Sequence, residues 1–176
     1  GALREEGFSP VVIESSAFSL VRAFRERGEG FRPENPAILI HVGETGLSIM
    51  VARHGHLHFD YFVSWRDVQC DAQEISLEGF NAAILGNLQR VMNFYNAHWN
   101  EPVTEVVVAA PGLEENTIPL IQKTFSIPVR ALTLTVNPVI SPEWLVAVGS
   151  GLRGTMARRE DREISLLGID AQEEYR

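Results

Sequence analysis

Three histidines at alternate positions, His54, His56 and His58, are the first residues whose type and spacing point to chemistry. Alternate residues of a strand share a face and imidazole is a common metal ligand, so the triplet could begin a metal site. A functional site needs three or four converging ligands, and only Asp60 stands near enough in sequence to join them. Leu57 and Phe59 supply the buried alternation of the same stretch. That leaves the histidines on the wet side of a hairpin and predicts no physiological metal. The turn Gly43-Glu44-Thr45-Gly46 offers a second chemistry, because its glycines bracket backbone amides that can form a small anion nest with the Thr45 hydroxyl. A glycine-containing hairpin accounts for the same residues without a ligand. Nucleophilic catalysis finds no support: Cys70 has no nearby His or Gly-rich turn, and no Ser sits in a nucleophile-elbow pattern. Two-metal phosphoryl chemistry fails as well, because the first apolar strand, Ala37 to Val42, contains no carboxylate.

Composition removes further classes. A net charge of -8 over 176 residues argues against a nucleic-acid partner, whose phosphates call for clustered Lys and Arg. The one basic group, Arg158-Arg159 with Arg162, is interleaved with Glu160, Asp161 and Glu163 and reads as a solvated mixed-charge segment. A hydrophobic content of 45% suits a globular domain that buries its own core. With a single cysteine there is no internal disulfide, which fits a reducing compartment. No apolar run approaches the roughly 20 residues that span a bilayer, and no signal-peptide pattern opens the chain. Gly1-Ala2 reads as a cloning remnant, and Leu3-Arg4-Glu5 as a cut through a longer protein.

The elements that would position these residues follow from periodicity and punctuation. A short strand, Pro10 to Ile13, runs into a helix from about Ser15 to Arg27, capped by Ser15 or Ser16 and stopped by Gly28. Strands Ala37 to Val42, Gly46 to Arg53 and His56 to Val63 form an antiparallel meander. Their nearly continuous apolar runs fit a sheet covered on both faces. Ser76 to Trp99 is the clearest helix, with Phe80, Ile84, Leu88, Val91 and Tyr95 on one stripe, and Gly86 inside it hints at close packing. A strand Glu105 to Ala109, a Pro111-Gly112 turn, a helix Thr117 to Phe125 with Pro119 in its first turn, and a strand Val129 to Leu132 follow. The last helix opens with Ser141-Pro142-Glu143 and runs to about Gly151 or Arg153.

The order, three strands then alternating helices and strands, predicts an α/β fold. Its layout is a five-stranded mixed sheet, βββαβαβα, with helices on both faces. This is the ribonuclease H-like layout, which is also the repeating half of the actin-like ATPases. A ribonuclease H-like nuclease is the distant alternative, disfavoured by the missing carboxylates.

Several segments together resemble the second half of the PilM-type actin-like proteins of type IV pilus assembly and the cytoplasmic domain of the type II secretion L protein. Pro10-Val11-Val12-Ile13-Glu14 through Val21-Arg22-Ala23 is similar to the stretch leading from the first half into the second. Ile40-His41-Val42-Gly43-Glu44-Thr45 resembles the phosphate turn, and Val106 to Gly112 the strand and glycine turn that reach adenosine. Ala147-Val148-Gly149-Ser150-Gly151-Leu152-Arg153-Gly154 is similar to the closing alanine-glycine helix. The resemblance implies three parts: residues 1–30 leading in from a preceding lobe, an actin-type lobe over 37–154, and a charged docking or membrane-proximal tail over 155–176.

It also implies a vestigial nucleotide turn at Gly43, Thr45, Gly46 and Gly112. Where the family carries a metal-organising aspartate this chain has His41, the adenosine turn reads Ala109-Ala110-Pro111-Gly112, and an acid near the ribose is replaced by Asn87. An imidazole cannot stand in for a hard carboxylate on magnesium. The expected function is therefore a scaffold, without catalytic residues, metal or cofactor, that docks pilus or secretion platform proteins at the cytoplasmic face of the inner membrane. The alternative is a lobe that binds ATP with magnesium in the full-length protein and regulates partner affinity by closing. Membrane contact would be indirect or through segments outside this chain, and a homo-oligomer is compatible with either. Exposed aromatics at Tyr61, Phe62, Trp65, Trp99 and Trp144 are candidate interface anchors. In the tail, Ile164, Leu166 and Leu167 resemble a short apolar docking motif of the same systems.

Overall fold

The computed structural model describes residues 12–69, 74–137, 140–157 and 159–166. Five strands, β1 (Ala37–Val42), β2 (Gly46–Arg53), β3 (His56–Ser64), β4 (Glu105–Ala109) and β5 (Val129–Ala131), form one sheet in the order β3-β2-β1-β4-β5. β1 is central. It pairs antiparallel with β2 and parallel with β4, with Ile40 opposite Ile49 on one side and Val108 on the other.

Alternation along these strands feeds two cores, one on each face. Ile38, Ile40, Ile49 and Val108 pack under α3 (Leu77–His98) and α4 (Glu114–Thr124), meeting Ile84, Leu88, Tyr95 and Ile121. Ala37, Leu39, Met50 and Val107 pack under α1 (Ser16–Arg27) and α5 (Leu145–Gly154), meeting Leu20, Phe24 and Leu145. Both side-chain sets of β1 and β2 are thus buried, which is why the runs read as continuously apolar. Helices lie on both faces of a mixed five-stranded sheet, as the element order predicted.

Local differences have local causes. Ser76 caps α3 as expected, its hydroxyl accepting from the Gly79 amide at 3.0 Å. Ser15 holds the cap position of α1 without a side-chain bond, and Gly28 ends that helix. α4 starts at Glu114, three residues before the expected Thr117, because the amides of Asn116 and Thr117 already bond to the Leu113 carbonyl. Pro119 therefore sits inside the helix, beyond the tolerated first turn, and denies the Glu115 carbonyl its i+4 donor. The last helix is preceded by a 3-10 turn, Pro142–Trp144, and a short helix α2 (Trp65–Gln69), absent from the sequence reading, follows β3. Of the expected strand Pro10 to Ile13, Pro10 and Val11 lie outside the described residues, and Val12 and Ile13 are not in a strand. Gly86 does not mark close packing: a methyl group there would meet no atom within 4 Å.

Candidate functional site

β1 and β4 run parallel as neighbours, so the turns that follow them come out at the same end of the sheet. That end, outside the carboxyl termini of parallel strands, is where open α/β sheets place ligands. The wall there is built from His41, the turn Gly43 to Gly46, and Ala110 to Gly112.

In the first turn the Gly43 amide donates to the Gly46 carbonyl at 3.0 Å. Trp65 braces the turn from outside, its indole N–H donating to the Gly43 carbonyl at 2.7 Å and its backbone N–H to the Thr45 carbonyl at 3.0 Å. Gly46 is dictated by packing, because a Cβ would lie 2.3 Å from the Val63 carbonyl oxygen and 2.5 Å from the Phe62 ring. At Gly43 a Cβ would press on the His41 ring at 3.2 Å, so histidine and glycine share that corner. Glu44 and Thr45 are the solvent-facing part of the turn and border a shallow depression of about 540 Å³ that also touches Ser64, Arg66 and Gln69. Gly112 has φ +74°, a left-handed value that glycine adopts without strain.

Burial pushes the His41 imidazole below its ordinary pKa, so the ring is neutral at pH 7. By strand alternation it shares the face of Ala37 and Leu39, toward α1 and α5. Asn87 lies in α3, nearly buried, its amide donating to the Ala83 carbonyl at 2.7 Å and its carbonyl oxygen accepting from Arg90 at 3.2 Å. Both bonds are within its own helix. No group of three or more His, Cys, Asp or Glu side chains arranged to hold a metal occurs among the described residues. His54 takes φ 52° in the β2–β3 turn, and His58 instead packs edge-on against Trp99.

The expected docking residues lie elsewhere. Residues 159–166 return across α1 and α5, and Ile164 and Leu166 point outward, 60% and 65% exposed. Leu167 and Cys70 fall outside the described residues. Of the candidate aromatic anchors, Trp144 (61%) and Phe62 (53%) are exposed. Trp65 packs on Phe80 and Trp99 on Tyr95, as core and rim.

What sequence reasoning missed is how that tail is held. Arg22 of α1 and Arg153 of α5 have side chains only 1% and 4% exposed. Arg22 donates to both Glu14 carboxylate oxygens at 2.8 and 2.7 Å, to the Gly149 carbonyl at 2.8 Å, and through Nε to Glu163 at 2.9 Å. Arg153 donates to Glu14, to Asp161 at 2.9 Å, and to the backbone carbonyls of Glu163 and Ile164, each at 2.8 Å. Burial alone would raise the Glu14 pKa, but the bonds from Arg22, Ser19 and Arg153 outweigh it and hold it down to about 2. Glu163 and Asp161 are lowered in the same way, burial being outweighed by Arg22 and Arg25 for the first and by Arg153 for the second. The one signal in the sequence is an arginine inside the apolar run Leu20-Val21-Arg22-Ala23-Phe24.

No family model and no curated protein matches the chain. Solved structures do. The PilM-PilN type IV pilus biogenesis complex aligns with a TM-score of 0.66 at 16% identity, over 89% of this chain and 56% of that one. The ethanolamine utilization protein EutJ from Carboxydothermus hydrogenoformans aligns with a TM-score of 0.51 at 12% identity, over 84% and 56%. The chain thus spans little more than half the length of either. At these identities the likeness is one of fold alone: the five-stranded mixed sheet with helices on both faces matches about half of each of these actin-like ATPase-fold structures.

Proposed function

We propose that this chain is a docking lobe of a pilus-assembly or type II secretion platform at the cytoplasmic face of the inner membrane, with a nucleotide-facing wall that no longer serves ATP hydrolysis. The fold likeness to PilM in a pilus biogenesis complex supports the first half of that reading. The observation that carries the second is His41, a neutral, half-buried imidazole at the carboxyl end of the central strand, where magnesium would call for a hard carboxylate. The turn beside it spends the Gly43 amide on its own hairpin and has both its Gly43 and Thr45 carbonyls taken by Trp65. These residues do not fit a magnesium-nucleotide site. No helix among the described residues is long and apolar enough to cross a membrane, so on this reading the membrane is reached through partners or through other segments.

Calorimetry with magnesium-ATP is expected to show no micromolar binding and no turnover. The lobe offers one wall of a two-walled cleft, and half a site loses the converging contacts that offset fixing the ligand. His41→Asp alone is not expected to restore binding, because Pro111 still shapes the adenosine turn. Micromolar affinity, or turnover above a His41→Ala control, would establish the ATP-regulated lobe instead. For docking, Leu166→Asp combined with Leu167→Asp in the full-length protein should lower recovery of co-purifying platform proteins at least tenfold. Unchanged recovery would remove the tail from the interface.

A further inference from the structure

We propose that the cavity between α1, the β2–β3 hairpin and residues 162–164 binds a small amphiphilic monocarboxylate, its hydrocarbon on the apolar wall and its carboxylate on Arg162 and Arg25. The cavity measures about 270 Å³, and its lining divides by chemistry. Phe18 and Val21 of α1, Leu57 of β3 and Ile164 supply the apolar wall, and three arginines, Arg22, Arg25 and Arg162, stand around it. The arginines differ in what they have left to offer. A guanidinium has five N–H donors, and Arg22 spends all of its own on Glu14, Glu163 and the Gly149 carbonyl, so it contributes only wall. Arg25 gives Nε to Glu26 at 2.8 Å and Nη2 to Glu163 at 3.0 Å, while its Nη1 has no partner among the described residues. Arg162 is exposed, and its side chain pairs with no acid among the described residues. The one carboxylate in the lining, Glu163, is already held by Arg22 and Arg25. What the cavity lacks is a single negative charge beside apolar surface.

The walls stand in place without a ligand. Gly55 turns the hairpin with φ +74°, and a Cβ there would lie 2.8 Å from Arg25 Cδ, so the stem of Arg25 rests on the hairpin backbone. On the opposite side the Glu163 ion pairs fix the segment that carries Arg162 and Ile164. A preformed site loses little to ordering when its ligand arrives. The planar fork of arginine matches a carboxylate, which sets the headgroup. A phosphate ester carries nearly two charges and asks for more free donors than Arg162 and one arm of Arg25 provide. Each methylene that the apolar wall takes from water tightens binding about fourfold, which sets the tail. This inference is independent of the assembly reading, since it needs only the cavity and its lining.

The test titrates the full chain at neutral pH with octanoate and, separately, with 4-phenylbutyrate, followed by calorimetry and by backbone amide NMR shifts. At least one acid should bind saturably, with the largest shifts around Phe18, Leu57 and Ile164. Octanol, which keeps the tail and lacks the charge, and acetate, which keeps the charge and lacks the tail, should each bind about tenfold more weakly or worse. Arg162→Gln should weaken the acid by about tenfold, the loss of one charge-assisted contact. Ile164→Glu, which sets a like charge on the wall at an exposed position, should abolish binding. Both altered residues are exposed, and circular dichroism checks that the variants keep the fold. No saturable binding of either acid, octanol binding as tightly as octanoate, shifts centred on another part of the chain, or unchanged affinity in either variant would each overturn the proposal.

Discussion

Arg22→Met is expected to lower the free energy of unfolding by about 3–5 kcal/mol, because removing one member of a buried ion network strands the others. Glu14 would keep Arg153 and Ser19 but lose a two-pronged pair, and Glu163 would keep only the half-buried Arg25. Against a typical total of about 5–15 kcal/mol this is a large share, and urea titration measures it as a lower midpoint at unchanged slope. Arg22→Lys should recover little, since one ammonium cannot reproduce a fork that bonds Glu14, Glu163 and the Gly149 carbonyl at once. The same network sets an acid limit. Glu14 has a folded pKa of about 2 against an ordinary 4.5, so the folded state resists its protonation. Its stabilisation is complete above about pH 4.5 and is lost as pH falls toward 2, and the lowered Asp161 and Glu163 act in the same direction. Stability measured from pH 6 down to 3 should fall steeply in the unaltered chain and less steeply in Arg22→Met. Equal slopes would show that Arg22 does not govern these carboxylates.

The sheet was legible because its signals are local. Strand alternation, the short turns at Gly43–Gly46 and His54–Gly55, and the Ser76 cap each act over a few residues, and together they fix the order and a central β1. Errors arose where two local rules competed. Pro119 looked like a first-turn proline, yet the acids Glu114 and Glu115 and the Leu113 carbonyl start α4 earlier and the helix absorbs the lost bond. Gly86 looked like a contact, yet it faces open space. The arginine network was illegible for a different reason. Arg22 and Glu163 are 141 residues apart, and Glu14 and Arg153 are 139 apart, so no periodicity links them. Only tertiary packing brings an arginine on one helix, an arginine on another and two stretches of connecting chain to one point.

That packing depends on one glycine. A Cβ at Gly149 would lie 1.8 Å from the Ser19 carbonyl oxygen and 2.9 Å from the Ser19 Cα, both backbone atoms that cannot rotate away. Gly149→Ala must therefore push α5 off α1, stretching the 2.8 Å bond from Arg22 to the Gly149 carbonyl and the 2.9 Å contact between the Ser19 and Ser150 hydroxyls. Overpacking typically costs about 1–3 kcal/mol, and a clash with backbone belongs at or above the top of that range, about 3 kcal/mol or more. Two residues along the same helix, Gly151 meets nothing within 4 Å. There the added methyl brings only helix propensity, and Gly151→Ala should raise stability by up to about 1 kcal/mol. The two substitutions share chemistry, helix and solvent-denaturation assay, so their opposite signs isolate the helix contact from any general effect of alanine. If Gly149→Ala left the urea midpoint in place, α1 and α5 would not pack as closely as the arginine network requires, and the anchoring of the tail through Arg22 and Arg153 would fall with that contact.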